Sequence, residues 1–312
     1  MISEVPAYPR AGHRAAVLGR PISHTLSPVL HRAAYRALGL ADWRYEAVDV
    51  AEPELPTFLA GCGPGWSGWS LTMPLKRAVR PLLVRESDLA RDVGAVNTVL
   101  VAPDGLEGFN TDVHGIVEAF GECGVGPLPA GAGATRHATI LGGGATAASA
   151  LAALAELGCC EPAVHVRSVA RTEDLQAAAV RLGVTLRLEA FDPATMARSI
   201  RRADLVVSTL PAGVADDLAI VGGFGQAARE RRPVLLDVVY DPWPTMLAQE
   251  WTAAGAPAVG GFVMLVHQAY GQVHLMTGLR PPVDRMRAAG EAELRRRQLE
   301  LVRRSGVAAS VS

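Results

Sequence analysis

Lys76 is the one lysine among the 30 Lys and Arg residues of this 312-residue chain, in the stretch SLTMPLK (70–76). Every other basic position accepts arginine. A desolvated amine, or one set beside another cation, can exchange its proton near neutrality, whereas a guanidinium stays charged. Lys76 is therefore the candidate for acid–base work, and a plain salt-bridging cation is the simpler alternative. Asparagine is equally scarce, at Asn97 and Asn110 alone, in the short polar islands GAVNT (94–98) and Asn110-Thr111-Asp112. Two further islands carry paired hydroxyls. RPISHTLSP (20–28) sets Thr25 and Ser27 two apart on a loop entering a helix, suited to a carboxylate, and Ser70 and Thr72 share one side of a strand. Any single hydroxyl is best explained as a cap or turn residue. Their recurrence beside the lone lysine points to a pocket for a small polar molecule.

A second constellation lies in HATILGGGATAASALAALAELG (137–158). An apolar strand feeds Gly142-Gly143-Gly144-Ala145-Thr146-Ala147, and an Ala/Leu-rich helix follows. This is G-x-G-x-x-A in the setting a dinucleotide needs. Gly142 permits the tight turn, Gly144 lets a pyrophosphate approach the backbone, and Ala147 allows close helix–strand packing, with phosphate at the helix N-terminus. The next strand, AVHV, runs into Arg167-Ser168-Val-Ala-Arg171 with no acid at its end. An acid there would take ribose hydroxyls, whereas two guanidinium forks and a hydroxyl suit a 2′-phosphate. The spacing predicts NADP rather than NAD, against the plainer reading of two solvated arginines.

These residues need elements to hold them. Apolar AAVLG, alternating WRYEAVDV and WSGWSLTM read as strands. SPVLHRAAYRALGL reads as a helix with Val29, Leu30, Ala33, Ala34, Ala37 and Leu38 on its buried stripe, Ser27 as its cap and Pro28 in its first turn. VNTVLVAPDGLEGFNTD reads as a hairpin with an Asp-Gly turn. From His137 the alternation of strand and helix is the signature of a parallel sheet, and GVTLRLEAF, ADLVVSTLP and PVLLDVVY read as strands covered on both faces. A Gly/Pro/Ala-rich stretch, 121–137, reads as a surface loop just after the domain boundary, between a helix at about Val113 to Phe120 and the next strand. GGFVMLVHQAYGQVHLMTG is a long helix, and an amphipathic arginine-rich helix follows. The expected class is α/β in two domains: residues 1–112 with 262–312 for the substrate, and a Rossmann-type unit, 113–261, for NADP.

Composition narrows the function classes. A net charge of −1 leaves no basic surplus for nucleic acid, and the terminal arginines alternate with acids as on a solvated helix face. No apolar run reaches the ~18 residues of a membrane span, and MISEVPAYPR lacks a leader pattern. Cys62, Cys123, Cys159 and Cys160 have neither disulfide-framework nor zinc spacing, so a reduced cytoplasmic protein without a metal is expected. Either a monomer or a homodimer is compatible with the chain.

RPISHTLSP, SLTMPLK, GAVNT, NTD, the GGGATA loop, RSVAR, DVVYDPWPT and MLVHQA follow one another in the order seen in shikimate dehydrogenases, and the chain resembles that family over about residues 14–275. The resemblance implies NADPH-dependent reduction of 3-dehydroshikimate to shikimate in aromatic amino-acid biosynthesis. It implies Lys76 and Asp112 as the catalytic pair, Thr25 and Ser27 at the carboxylate, and Thr72, Asn97 and Gln268 at the ring hydroxyls, with Ser70 and Thr111 beside them. Tyr240 falls in the substrate pocket, and Thr209 and Gly261 fall at the nicotinamide half. Three positions depart from the family pattern. Thr25 stands where serine is common, Ser70 where asparagine is common, and Gly261-Phe262-Val263 where Gly-x-Gly is usual. The alternatives are a quinate/shikimate dehydrogenase of broader substrate or cofactor use, a folate-linked dehydrogenase with a catalytic lysine, and an NADP-binding sensor without turnover.

Overall fold

The computed structural model describes residues 12–129 and 135–309. Residues 130–134 of the expected surface loop, and the outermost ends of the expected substrate unit, lie outside those described residues. Twelve strands form two six-stranded sheets among them.

The first sheet contains β1 (Arg14–Gly19), β2 (Arg44–Asp49), β3 (Trp66–Leu71), the short β4 (Arg85–Glu86), β5 (Thr98–Ala102) and β6 (Gly105–Phe109). Its order is β2-β1-β3-β5-β6-β4. β1 runs parallel to β2 and β3, whereas β5 is antiparallel to both β3 and β6. The β5–β6 hairpin turns at Pro103-Asp104, and Gly105 takes φ +142°, which explains glycine after the aspartate.

The second sheet contains β7 (Ala138–Leu141), β8 (Ala163–Val166), β9 (Arg187–Ala190), β10 (Leu205–Ser208), β11 (Val234–Asp237) and β12 (Ala258–Gly260). It is wholly parallel, in the order β12-β11-β10-β7-β8-β9. β8 and β9 build outward on one side of β7, and β10 to β12 on the other, so the topology reverses between β7 and β10. Ligands of such sheets bind outside the strand ends at that reversal. β7, β8, β10 and β11 are buried along their whole length, as strands covered on both faces must be. β9 corrects the expectation of a covered strand. It is an edge strand, with Arg187 and Ala190 exposed.

The helix Ser27–Ala37 departs from its sequence reading in two respects. Its cap position is Leu26, so Ser27 is the first helical residue and makes no capping bond. Its buried face takes in His31 and Tyr35, and Ala37 is exposed. His31 stacks on Tyr45 of β2 and bonds Gln272 of the helix Gly261–Thr277, and Tyr35 packs against Trp43 and Tyr45, so partners outside the local sequence widen the covered stripe.

The helix Gly261–Thr277 carries the chain back to the first sheet. Leu265, Val266, Ala269, Val273, Leu275 and Met276 share a core with Ala15, Val17 and Leu30. The same helix lies against Asp112–Glu122, so closely that a Cβ on Gly115 would stand 2.7 Å from Met264 O. Val113, Ile116, Ala119 and Phe120 of Asp112–Glu122 pack into the core of the second sheet. That helix is thus buried between both units, with its first residue at their junction. All four cysteines are free.

Candidate active site

A cavity of about 290 Å³ opens at this junction. Its wall brings together Thr25, Ser27, Ser70, Thr72, Lys76 and Asp112 from the first unit with Thr146 and Tyr240 from the second. Gly261 and Gln268 of the returning helix close it. Residues from widely separated stretches of the sequence therefore meet around one space, which few local signals could have shown. Asn97 and Thr111 do not line it. They lie directly behind it, both buried.

Lys76 Nζ donates to Asp112 Oδ2 at 2.6 Å. The aspartate is held from its other side, since Asn97 Nδ2 lies 2.9 Å from Asp112 Oδ1 and 3.0 Å from Gln268 Oε1. Asn97 Oδ1 in turn accepts the Thr111 backbone N–H at 2.8 Å. One carboxamide thus fixes both the carboxylate and the glutamine that face the cavity. Asn110 works on the same segment from below. Its Oδ1 accepts the N–H groups of Asp112 and Val113 at 3.0 and 3.3 Å, satisfying the helix start. Its Nδ2 reaches Ala95 O at 2.9 Å and Ser149 Oγ at 3.2 Å, tying the two units together. Both asparagines are therefore structural anchors of Asp112. An ammonium has three N–H donors, and Asp112 is the single partner of Lys76 Nζ among the described residues. Two donors remain for a bound molecule.

A buried chain that sequence reasoning missed lies under the opposite wall. Tyr45 Oη donates to Ser70 Oγ at 2.7 Å, and Ser70 Oγ donates to Gln272 Oε1 at 2.9 Å. His31 Nε2 lies 3.1 Å from the same Gln272 oxygen, and the imidazole stacks on Tyr45 with centroids 3.8 Å apart. Complete burial pushes the His31 pKa down to about 3, so the ring is neutral. Gln272 stands one helical turn after Gln268, and that i, i+4 repeat was the available signal.

The glycine loop fits a dinucleotide on its own geometry. Gly142 has φ +114°, and a Cβ there would stand 2.3 Å from Thr209 Oγ1. Gly144 caps the helix Ala145–Glu156, whose start has no side-chain cap, and nothing lies within 4 Å of the place its Cβ would occupy. Uncapped N–H groups under open space are what a pyrophosphate requires. Ala147 is fully buried and lets the helix sit close to the sheet. Thr209 follows β10 and donates to Leu141 O at 3.0 Å, beside the topological reversal. Arg167 and Arg171 are exposed beyond the end of β8, and their guanidinium groups have no partner among the described residues.

Two family models match the chain: the shikimate dehydrogenase substrate binding domain over residues 17–99, and the shikimate 5′-dehydrogenase C-terminal domain over residues 261–289. A curated shikimate dehydrogenase (NADP(+)) of Geobacter metallireducens is 35% identical over 283 residues, covering 90% of this chain and 96% of the relative. The chain belongs to the shikimate dehydrogenase family. The crystal structure of Mycobacterium tuberculosis shikimate dehydrogenase is 41% identical with a TM-score of 0.78, covering 89% of this chain and 99% of that one. A quinate dehydrogenase from Corynebacterium glutamicum in complex with NAD is 26% identical with a TM-score of 0.75, covering 90% and 99%. The shikimate dehydrogenase fold thus accommodates both substrate names.

Against the usual shikimate dehydrogenase pattern, Ser70 has its one proton committed to Gln272, so it can offer the cavity a lone pair but no donor. Gly261 keeps its glycine for a local reason, since a Cβ would stand 1.9 Å from Val238 O. Val263, in place of a second glycine, is partly buried against the core of the second unit. Among the described residues no helix is long and apolar enough to cross a membrane.

Proposed function

We propose that this protein interconverts 3-dehydroshikimate and shikimate with NADP(H), with Lys76 as its acid–base. The observation that carries this reading is the pairing of Lys76 with Asp112 on the wall of a hydroxyl-lined cavity. That cavity also touches Thr146 of the glycine loop. Thr25 and Ser27 take the substrate carboxylate, and Thr72 and Gln268 take ring hydroxyls. Asn97 acts by holding Gln268 and Asp112, and Thr111 acts by holding Asn97. Ser70 accepts from the substrate, and Tyr240 closes the wall above it.

When bound, NADP(H) would be held at Gly142–Ala147, with Arg167, Ser168 and Arg171 on its 2′-phosphate and Thr209 and Gly261 at its nicotinamide half, and would supply or accept the hydride. In the reductive direction Lys76 Nζ gives a proton to the oxygen of the substrate carbonyl as charge develops there. In the oxidative direction the neutral amine takes the hydroxyl proton back. Asp112 fixes the amine beside that oxygen. Positioned proton transfer of this kind contributes about 10²–10⁴-fold.

The division of labour assigns the substrate to residues 1–112 with 262–312 and the dinucleotide to 113–261. The return of Gly261–Thr277 to the first sheet supports it. We place the protein in the cytoplasm, in keeping with its four unpaired cysteines. The test is the initial rate of NADP⁺ and NAD⁺ reduction with shikimate and with quinate, for the wild type and Lys76→Ala. Turnover of shikimate with NADP⁺, collapsing in the variant, is expected. Comparable rates with quinate or NAD⁺ would move the protein to the broader-specificity reading, and cofactor binding without turnover would defeat the enzymatic one.

A further inference from the structure

The arginines of the helix Val283–Ala309 are not equivalent. Arg295 and Arg296 pair with Glu291, Glu293 and Glu300 along the exposed helix surface, as solvated charges do. Arg297 turns inward, and its side chain is 20% exposed. Nη1 donates to His24 O at 2.7 Å, Nη2 donates to Thr25 O at 3.3 Å, and Nε donates to Glu293 Oε1 at 2.8 Å. Hydrogen bonds from Arg296 and then Arg297 hold the Glu293 pKa down to about 2, so the brace stays ionised. Three edges of one planar guanidinium are thereby committed, which a point-charge ammonium could not reproduce.

The two carbonyls belong to the loop between β1 and the helix Ser27–Ala37. Tyr240 Oη also reaches His24 O, at 3.4 Å. On the cavity side of that loop, Thr25 Oγ1 accepts the Ser27 N–H at 3.2 Å and donates to Ser27 Oγ at 3.2 Å. The backbone that carries this hydroxyl pair is thus gripped from behind by the C-terminal helix.

We propose that Arg297 is a positioning residue whose grip on His24 O and Thr25 O sets the Thr25–Ser27 hydroxyl pair to receive the substrate carboxylate. This rests on the reading of that pair given under the proposed function. It also gives the arginine-rich terminus a task beyond solubility.

The test compares the wild type with Arg297→Ala, Arg297→Lys and Glu293→Gln, in initial-rate kinetics with shikimate and NADP⁺ and in amide hydrogen exchange over residues 22–30 without substrate. Arg297→Ala is expected to raise the shikimate KM about tenfold with kcat within about twofold, the NADP⁺ KM unchanged and faster exchange at Thr25 and Ser27. Arg297→Lys should recover part of the KM, and Glu293→Gln should lie between the wild type and Arg297→Ala. An unchanged shikimate KM overturns the proposal, as does a loss spread equally over kcat and both KM values, which is the mark of general loosening. Should Arg297→Ala not fold, the other two variants carry the comparison. A wild type inert toward shikimate sinks the functional reading instead, and exchange alone then decides the clamp, with unchanged exchange overturning it.

Discussion

Lys76 Nζ and Asp112 Oδ2 stand 2.6 Å apart, with the lysine side chain 13% exposed and the aspartate 1%. The carboxylate is sunk in the protein, and the amine bridges it to the cavity. An ion pair so arranged can be purely structural, or it can hold an amine ready for a substrate oxygen. The two possibilities predict different mutants.

Lys76→Arg retains the charge and can retain the pair, but it cannot transfer a proton near neutrality. On the proposed mechanism kcat should fall about 10²–10⁴-fold in both Lys76→Arg and Lys76→Ala. Lys76→Ala should also lose stability, since removing one partner of a buried pair costs about 3–5 kcal/mol. Steady-state rates and urea unfolding of the two variants separate these effects. An arginine variant with near-normal kcat would leave the pair a structural role alone.

The free guanidinium groups of Arg167 and Arg171 make a second comparison. If they hold the 2′-phosphate, Arg167→Ala and Arg171→Ala should each raise the NADP⁺ KM about tenfold or more, since each removes a charge-assisted bond. Whatever rate NAD⁺ supports should stay where it was. Kinetics with both cofactors checks this. Equal losses with NADP⁺ and NAD⁺ would mean that the arginines serve the loop and not the phosphate.

Much of the architecture was legible because it is written in local signals. Strand periods, the glycine loop after β7 and the Asp-Gly hairpin each follow from a few adjacent residues. The lone lysine and the two asparagines were legible for a compositional reason, because each is the scarce survivor of its type. What could not be read was orientation across the chain. Asn97 and Asp112 both belong to the site region, but only folding shows that the asparagine sits behind the cavity holding the aspartate. Ser27 looked like a cap and is instead the first helical residue, on the cavity wall. His31 and Tyr35 broke the expected stripe because Tyr45 packs on both and Gln272, far away in sequence, bonds the imidazole. The Tyr45–Ser70–Gln272–His31 chain joins four elements, and no window of sequence contains it.

That buried chain gives a pH prediction. His31 titrates near 6.5 when unfolded and at about 3 in the native state. Between those values the unfolded chain holds a proton that the folded one lacks, so stability rises with pH. The contribution is fully present above about pH 6.5 and is lost progressively as pH falls towards 3, by up to about 1.4 kcal/mol per unit. His114, pushed down to about 4 mainly by burial, adds in the same direction. Urea unfolding of the wild type at pH 7 and pH 5 should show the fall, and His31→Gln should show a shallower one. Identical slopes would mean that His31 takes up its proton in the folded chain as readily as in the unfolded one.

Two glycines two positions apart in sequence make opposite predictions. Gly142 has φ +114° and no room, since an added Cβ would stand 2.3 Å from Thr209 Oγ1. Gly142→Ala should therefore destabilise the second unit, by about 1–3 kcal/mol for the strained backbone alone. Gly144 lies in extended backbone with nothing within 4 Å of an added Cβ. Gly144→Ala should fold with a near-normal Tm yet bind NADPH at least about tenfold more weakly, because the methyl would fill the space through which a pyrophosphate meets the helix N-terminus. Thermal melts and NADPH fluorescence titration of both variants read the two effects independently. If Gly144→Ala bound NADPH as tightly as the wild type, the dinucleotide could not lie across this loop, and the open space above it would need another occupant.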